Sequence, residues 1–150
     1  MHVVIRLQHD RKPPPASFRF FSVRYTTQMC EDGDFEKSLQ LREALDPLLY
    51  AHRVNLLLVG HQHSYERTCP LANGTCAAPG AFGTVHAVIG SAGASVESCG
   101  FSALNGVFDV AHANMWGYGR LHADHERFKM QFVSNNDGSV FDEVDLVPSQ

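Results

Sequence analysis

From residue 35 onward the apolar positions of the chain fall into clear periods. In "FEKSLQLREALDPLLYAH", Leu41, Leu45, Leu48 and Leu49 recur at helical spacing. They predict a helix over roughly 35–52 with these leucines as its buried stripe. Asp34 is the expected N-cap, and Pro47 predicts a kink or an early end. "VNLLLVG" follows, a short unbroken apolar run closed by glycine. It predicts a strand at 54–59 covered on both faces, as in a parallel sheet flanked by helices. "TVHAVIGSAG" (84–93) predicts a second short strand running into a glycine-rich turn.

The second half changes character. "SCGFSALNGVFDVAHANMWGYG" is rich in glycine and asparagine and reads as a long irregular loop. "RFKMQFVS" alternates, with Phe128, Met130 and Phe132 on one face and Lys129 and Gln131 on the other. "NNDG" supplies turn residues over Asn135–Gly138, and "SVFDEVDLV" is the returning strand. The expected fold is an α/β (α+β) sandwich: one helix and a buried strand, followed by mostly antiparallel strands. A helical 127–147 would exclude it. Residues 1–24 carry the run Pro13–Pro14–Pro15, which cannot donate backbone hydrogen bonds, and read as irregular chain or linker. The chain lacks the sheet partners that an upstream half would supply, so apolar strand edges should be left exposed.

Composition narrows the function classes. A length of 150 residues suits one domain, and 44% hydrophobic with 19% charged residues reads as globular. A net charge of -4 without a basic stripe excludes a general nucleic-acid binder. No stretch reaches the roughly 18 apolar residues of a membrane span, and the first residues lack the apolar core of a signal peptide. The four cysteines, Cys30, Cys69, Cys76 and Cys99, match no zinc-finger spacing. Cys69 and Cys76 bracket the turn-rich "PLANGT", which lets them close a small disulfide. Inside it, Asn73-Gly74-Thr75 is an N-glycosylation acceptor. A cysteine-bounded loop carrying a sequon points to a secreted or extracellular protein.

Nine histidines is a high count, and two of them stand out. Residues two apart in extended chain point to the same side, so His61 and His63 project together from the carboxyl end of the apolar strand. Ligands bind at that edge of open α/β sheets. Two imidazoles there are suited to ligating one metal ion or two adjacent ones. As plain chemistry they equally suit a pair of loop histidines without a ligand.

The string "VNLLLVGHQHSYERTCPLANGTC" closely resembles the last metal-ligand motif of the purple acid phosphatases, calcineurin-like metallophosphoesterases with a binuclear metal centre. "TVHAVIGSAG", "GYGRLHA" and the terminal "DLV" resemble the family's downstream segments, so the similarity runs over about residues 25–147. The resemblance implies hydrolysis of phosphomonoesters at acidic pH by a ferric ion paired with zinc, manganese or iron(II). It assigns His61 to the divalent metal and His63 to the ferric ion. Glu66 and Arg67 read as supporting residues joined in a local ion pair. The resemblance leaves the oligomeric state open.

Several family motifs are missing. Neither Gly-Asp-x-Gly, Gly-Asp-x-x-Tyr nor Gly-Asn-His-Glu occurs; the one Gly-Asp, Gly33-Asp34, continues as Phe35-Glu36. Tyr25 is kept, but Phe21 and Ser22 stand near the place of a further His-Arg, and His2 and His9 lie too early to replace it. The chain therefore reads as the C-terminal part of a phosphatase: a fragment, a misassembled gene model or a degenerate product. Little or no turnover is expected from it alone. The rival readings are a mononuclear zinc enzyme with His86 or His122 as third ligand, and a non-catalytic structural or binding module.

Overall fold

The computed structural model describes residues 3–7, 18–21, 28–29, 35–60, 62–93, 95–96, 101–103, 106–112, 114–124 and 127–146. Along the chain run β1 (Val3–Leu7), β2 (Phe18–Phe21), β3 (Gln28–Met29), α1 (Phe35–Ala51) and β4 (Leu56–Val59). They are followed by β5 (Tyr65–Thr68), β6 (Leu71–Ala72), β7 (Thr75–Cys76), β8 (Val85–Ile89) and β9 (Phe101–Ala103). The order closes with β10 (Phe108–His112), β11 (Gly117–Ala123), β12 (Phe128–Ser134) and β13 (Val140–Leu146). Asp34, the Pro13–Pro15 run, Tyr25, Cys30, Cys99 and His61 lie outside the described residues.

Two larger sheets and one helix make three layers. A five-stranded sheet has the order β10-β5-β8-β4-β2, and a four-stranded sheet the order β1-β11-β12-β13. Strand β4 lies between β2 and β8, parallel to both, as its unbroken apolar run requires. Its side chains divide by the strand period of two. Leu56 and Leu58 enter the core between the sheets with Val85, Ala87, Ile89, Met130 and Phe132. Leu57 and Val59 face α1 and pack with Leu49 and Val88. Apolar surface of this kind, at about 25 cal/mol per Å2 removed from water, is what holds the layers together.

The glycines of "GYG" make room for side chains within and between the sheets: Phe132 belongs to the neighbouring strand β12, Ile89 to β8 of the other sheet. A Cβ on Gly117 would fall 2.3 Å from the Phe132 ring, and one on Gly119 would fall 2.5 Å from Ile89 Cδ1. The hairpin β12–β13 turns over Asn135–Asp137, with Gly138 at φ 72° as its left-handed residue.

Four expectations are corrected. Residues 1–24, expected as irregular chain or linker, include two strands: β1 pairs in parallel with β11, and β2 pairs in parallel with β4. The helix continues through Pro47, which sits on its exposed side, to Ala51. Its buried face is centred on Arg42, Asp46 and Leu49, so Leu48 is turned to solvent at 57% exposure. The segment expected as one long loop contains β9, β10 and the start of β11. Its strand β10 is held against β5 by long-range pairing rather than by any local signal.

Candidate metal centre

Strand β4 ends at Val59, the buried Gly60 follows, and the chain turns through Gln62, His63 and Ser64 before β5 begins. The turn therefore lies at the carboxyl end of a central parallel strand, the edge where α/β sheets bind ligands. Gln62 and Ser64 are buried, and His63 is half-buried between them. Two bonds fix the turn after His63. The Gly90 N–H, just past β8, donates to the Ser64 carbonyl at 3.1 Å, and Ser64 Oγ donates to Glu66 Oε1 at 2.8 Å. Beside Gly90, the Ser91 hydroxyl is buried with no hydrogen-bond partner among the described residues.

Glu66 and Arg67 do not form the local pair expected of them. Neighbours on a strand point to opposite faces, so the two carry separate bonds. The Arg67 guanidinium reaches toward the four-stranded sheet instead. Its Nε donates to Asp142 Oδ2 at 2.6 Å, Nη2 to Asp142 Oδ1 at 3.2 Å, and Nη1 to Asp109 Oδ2 at 2.9 Å. The Tyr65 hydroxyl donates to the same Asp142 oxygen at 2.6 Å. Its ring stacks on Phe132 at 4.0 Å between centroids.

The titration of this cluster follows from its bonds. Burial pushes the Tyr65 phenol far above its ordinary value, and the Asp142 carboxylate adds to the shift. Burial alone would raise Asp142, but the Arg67 and Tyr65 donors outweigh it and hold the carboxyl below the ordinary range. Burial likewise opposes the Arg67 charge, and the Asp142 and Asp109 carboxylates more than offset it. The cluster is thus a charged clasp between the sheets. Asp109 and Asp142 were not singled out from sequence, because each pairs with a residue more than forty positions away.

The rival third ligands lie elsewhere. His86 is 2% exposed on the α1 side of β8, with Nε2 3.7 Å from Asp46 Oδ1. That contact favours the charged ring. Burial first, and then the Arg42 charge, disfavour it more strongly and lower its pKa to about 3. His122 stands 3.6 Å from Asp124 on the outer face of the four-stranded sheet. Among the described residues no three His, Cys, Asp or Glu side chains are gathered to hold a metal ion. The donor chemistry thus fits the family's metals in part. Imidazole suits zinc and iron, whereas a hard ferric ion also wants oxygen donors.

On the flank of the sandwich, Cys69 and Cys76 are joined by a disulfide that closes the β6–β7 hairpin. Asn73 and Gly74 form its turn at φ 53° and 78°, the left-handed conformations that an Asn-Gly pair accepts. Asn73 is exposed, so the sequon sits at the tip of the loop.

The sequence profile described as "Iron/zinc purple acid phosphatase-like protein C" matches residues 83–143. The chain superposes with a TM-score of 0.74 and 26% identity on the purple acid phosphatase from yellow lupin (Lupinus luteus) seeds, over 87% of this chain and 24% of that one. The chain resembles the purple acid phosphatases. It matches the C-terminal part of that fold. Similar relatives include "Probable inactive purple acid phosphatase 27" of Arabidopsis thaliana, 33% identical over 75% of this chain and 19% of the relative. "Probable inactive purple acid phosphatase 9" of the same plant is 36% identical over 71% and 18%. The chain thus spans about a fifth of the length of those curated relatives. The fold, without further implication, also matches GAP50 of Plasmodium at a TM-score of 0.55 and 18% identity, over 86% of this chain and 35% of that one.

Proposed function

We propose that this chain supplies the imidazole-bearing C-terminal part of a phosphomonoester hydrolase, with His61 and His63 as metal ligands. The observation that carries the reading is the position of Gln62 and His63, just past the carboxyl end of a strand buried on both faces between two parallel neighbours. The family's names add a phosphoester chemistry: relatives include the "Acid phosphatase type 7" of Homo sapiens and the "Nucleotide pyrophosphatase/phosphodiesterase" of Hordeum vulgare.

A ferric ion with zinc, manganese or iron(II), bound at such a pair, supplies a water of lowered pKa and charge to hold phosphate oxygens. What the chain's own residues contribute is placement. His63 is presented by a turn tied to β8 through the Gly90–Ser64 bond, and Ser64 with Glu66 anchors the first residues of β5. The clasp of Arg67 on Asp142 holds β5 to the second sheet, behind the ligand edge.

The upstream aspartate, tyrosine and asparagine motifs are missing from the sequence, so the 150 residues by themselves turn over phosphomonoesters slowly or not at all. The relatives named as inactive accord with that. The same absence favours the second reading, a module that keeps the fold without the chemistry. The disulfide and the exposed Asn73 support secretion and glycosylation at that residue. No helix among the described residues is long and apolar enough to cross a membrane.

The test is a p-nitrophenyl phosphate assay at acidic pH after reconstitution with iron(III) and zinc(II), alongside metal analysis. We expect zinc retained by the wild type and released by His63→Ala, with turnover near background. Vigorous hydrolysis would refute the low-turnover reading, and equal metal retention by both proteins would refute the ligand assignment.

A further inference from the structure

The geometry points to Gly90 as the positioning residue of the histidine turn, an inference that rests on the ligand reading of His61 and His63. Gly90 is the first residue beyond β8, in the "IGSAG" stretch, and the turn lies directly against it. A Cβ at Gly90 would stand 1.6 Å from the Gln62 carbonyl oxygen, 2.6 Å from its carbonyl carbon and 3.3 Å from the His63 nitrogen. Real Cβ atoms do not approach backbone so closely, and a peptide unit, unlike the end of a flexible side chain, cannot swing aside by itself. Only a residue without a side chain leaves room for Gln62 where it is.

The contact is also directional. The Gly90 N–H donates to the Ser64 carbonyl at 3.1 Å, so the same glycine touches the turn before His63 and bonds to it just after. The two buried flanks, Gln62 and Ser64, are thereby clamped on the end of β8, and His63 is the half-buried residue between them. A methyl group at position 90 forces the Gln62 peptide outward and turns the imidazole that follows it. Metal ligation tolerates little of this, since residues that merely orient a ligand commonly set its affinity about tenfold or more.

The experiment uses the full chain, with Zn2+ alone as probe and NMR as readout. Four proteins are compared: wild type, His63→Ala, Gly90→Ala, and Met130→Ala as a core lesion away from the turn. In metal-free Gly90→Ala we expect displaced amide resonances for Gln62, His63 and Ser64 while those of β11 and β12 stay in place. The amide at position 90 should lose its protection from exchange, and Zn2+ affinity should fall about tenfold or more. Met130→Ala should melt earlier yet keep the Zn2+-dependent shift of the His63 ring. Unmoved resonances over 62–64, or wild-type Zn2+ affinity in Gly90→Ala, would overturn the inference. Should wild type and His63→Ala respond to Zn2+ alike, the ligand reading fails, and the metal-free resonances still judge the role of Gly90. Should Gly90→Ala not fold, the wild type decides: a protected Gly90 amide with nuclear Overhauser contacts from Gly90 Hα to Gln62 and His63 upholds the clamp, and their absence overturns it.

Discussion

Replacing Asp142 with Asn tests the clasp between the sheets. In the native protein its carboxylate accepts from Tyr65 Oη and from two nitrogens of Arg67, with donor distances of 2.6, 2.6 and 3.2 Å. Tyr65 is fully buried and Arg67 is 8% exposed, so neither donor can turn to water. Hydrogen bonds to charged groups contribute about 1.5–3 kcal/mol each, and removing one partner of a buried pair costs about 3–5 kcal/mol. Arg67 keeps the half-exposed Asp109, and Asn can still accept one bond. The expected loss is therefore at the low end, about 3 kcal/mol. Urea unfolding at pH 7, followed by circular dichroism, reads it as a lower midpoint at unchanged slope. A double-mutant cycle with Tyr65→Phe should give a coupling of about 1 kcal/mol, because both changes remove the same bond. The sign with pH follows from the lowered Asp142 pKa: its contribution is present above the ordinary carboxylate value of 3.8 and is lost as pH falls through the lower folded value. A loss under about 0.5 kcal/mol, or strict additivity with Tyr65→Phe, would refute the clasp.

Three further outcomes follow from the packing. His86, at 6.5 when unfolded and about 3 when folded, makes stability fall as pH drops from about 6.5 towards 3. The slope is about 1.4 kcal/mol per pH unit within that window, and His86→Leu should flatten it in chemical unfolding curves. Leu49→Ala should cost about 2–4 kcal/mol, whereas Leu48→Ala should stay within about 0.5 kcal/mol; equal losses would contradict the orientation of α1. Replacing Cys69 and Cys76 together by Ser opens a loop of sequence separation 7. Loop-closure entropy puts that loss at about 2.5 kcal/mol, read as a lower melting temperature.

Much of this was legible in the residue pattern, and the failures share a cause. The helix, the buried β4 and the β12–β13 hairpin are written in local periods, and the structure has them at Phe35–Ala51, Leu56–Val59 and Phe128–Leu146. Leu48 misled because apolar spacing cannot register that α1 is rotated to bury Arg42 and Asp46. Asp46 is buried 3.7 Å from His86, a partner supplied by β8. Strand β10 was hidden among glycines and asparagines because its pairing with β5 is long-range. Adjacency in sequence does not pair Glu66 with Arg67, since the strand period sends the two to opposite faces. For the candidate site, the motif points to His61 and His63 by resemblance, and of the two the structure describes His63. The glycine of "IGSAG" reads from sequence as a turn, but nothing in the sequence says that Gln62 lies against it.

The parallel pairing of β1 with β11 bears on the order of folding. Well over a hundred residues separate Val3 from its partner Gly119. At about 5–20 residues per second, the ribosome leaves β1 without that partner for roughly 6–23 s. The β11–β12–β13 meander needs only short loops to close, so loop-closure entropy favours its assembly before β1 docks. Until then "VVIRL" is an unpaired apolar segment and the side of β11 that it covers is a bare edge. Both are templates for pairing with another chain. The interval before this last parallel closure is when the chain is most exposed to aggregation, during synthesis and refolding alike.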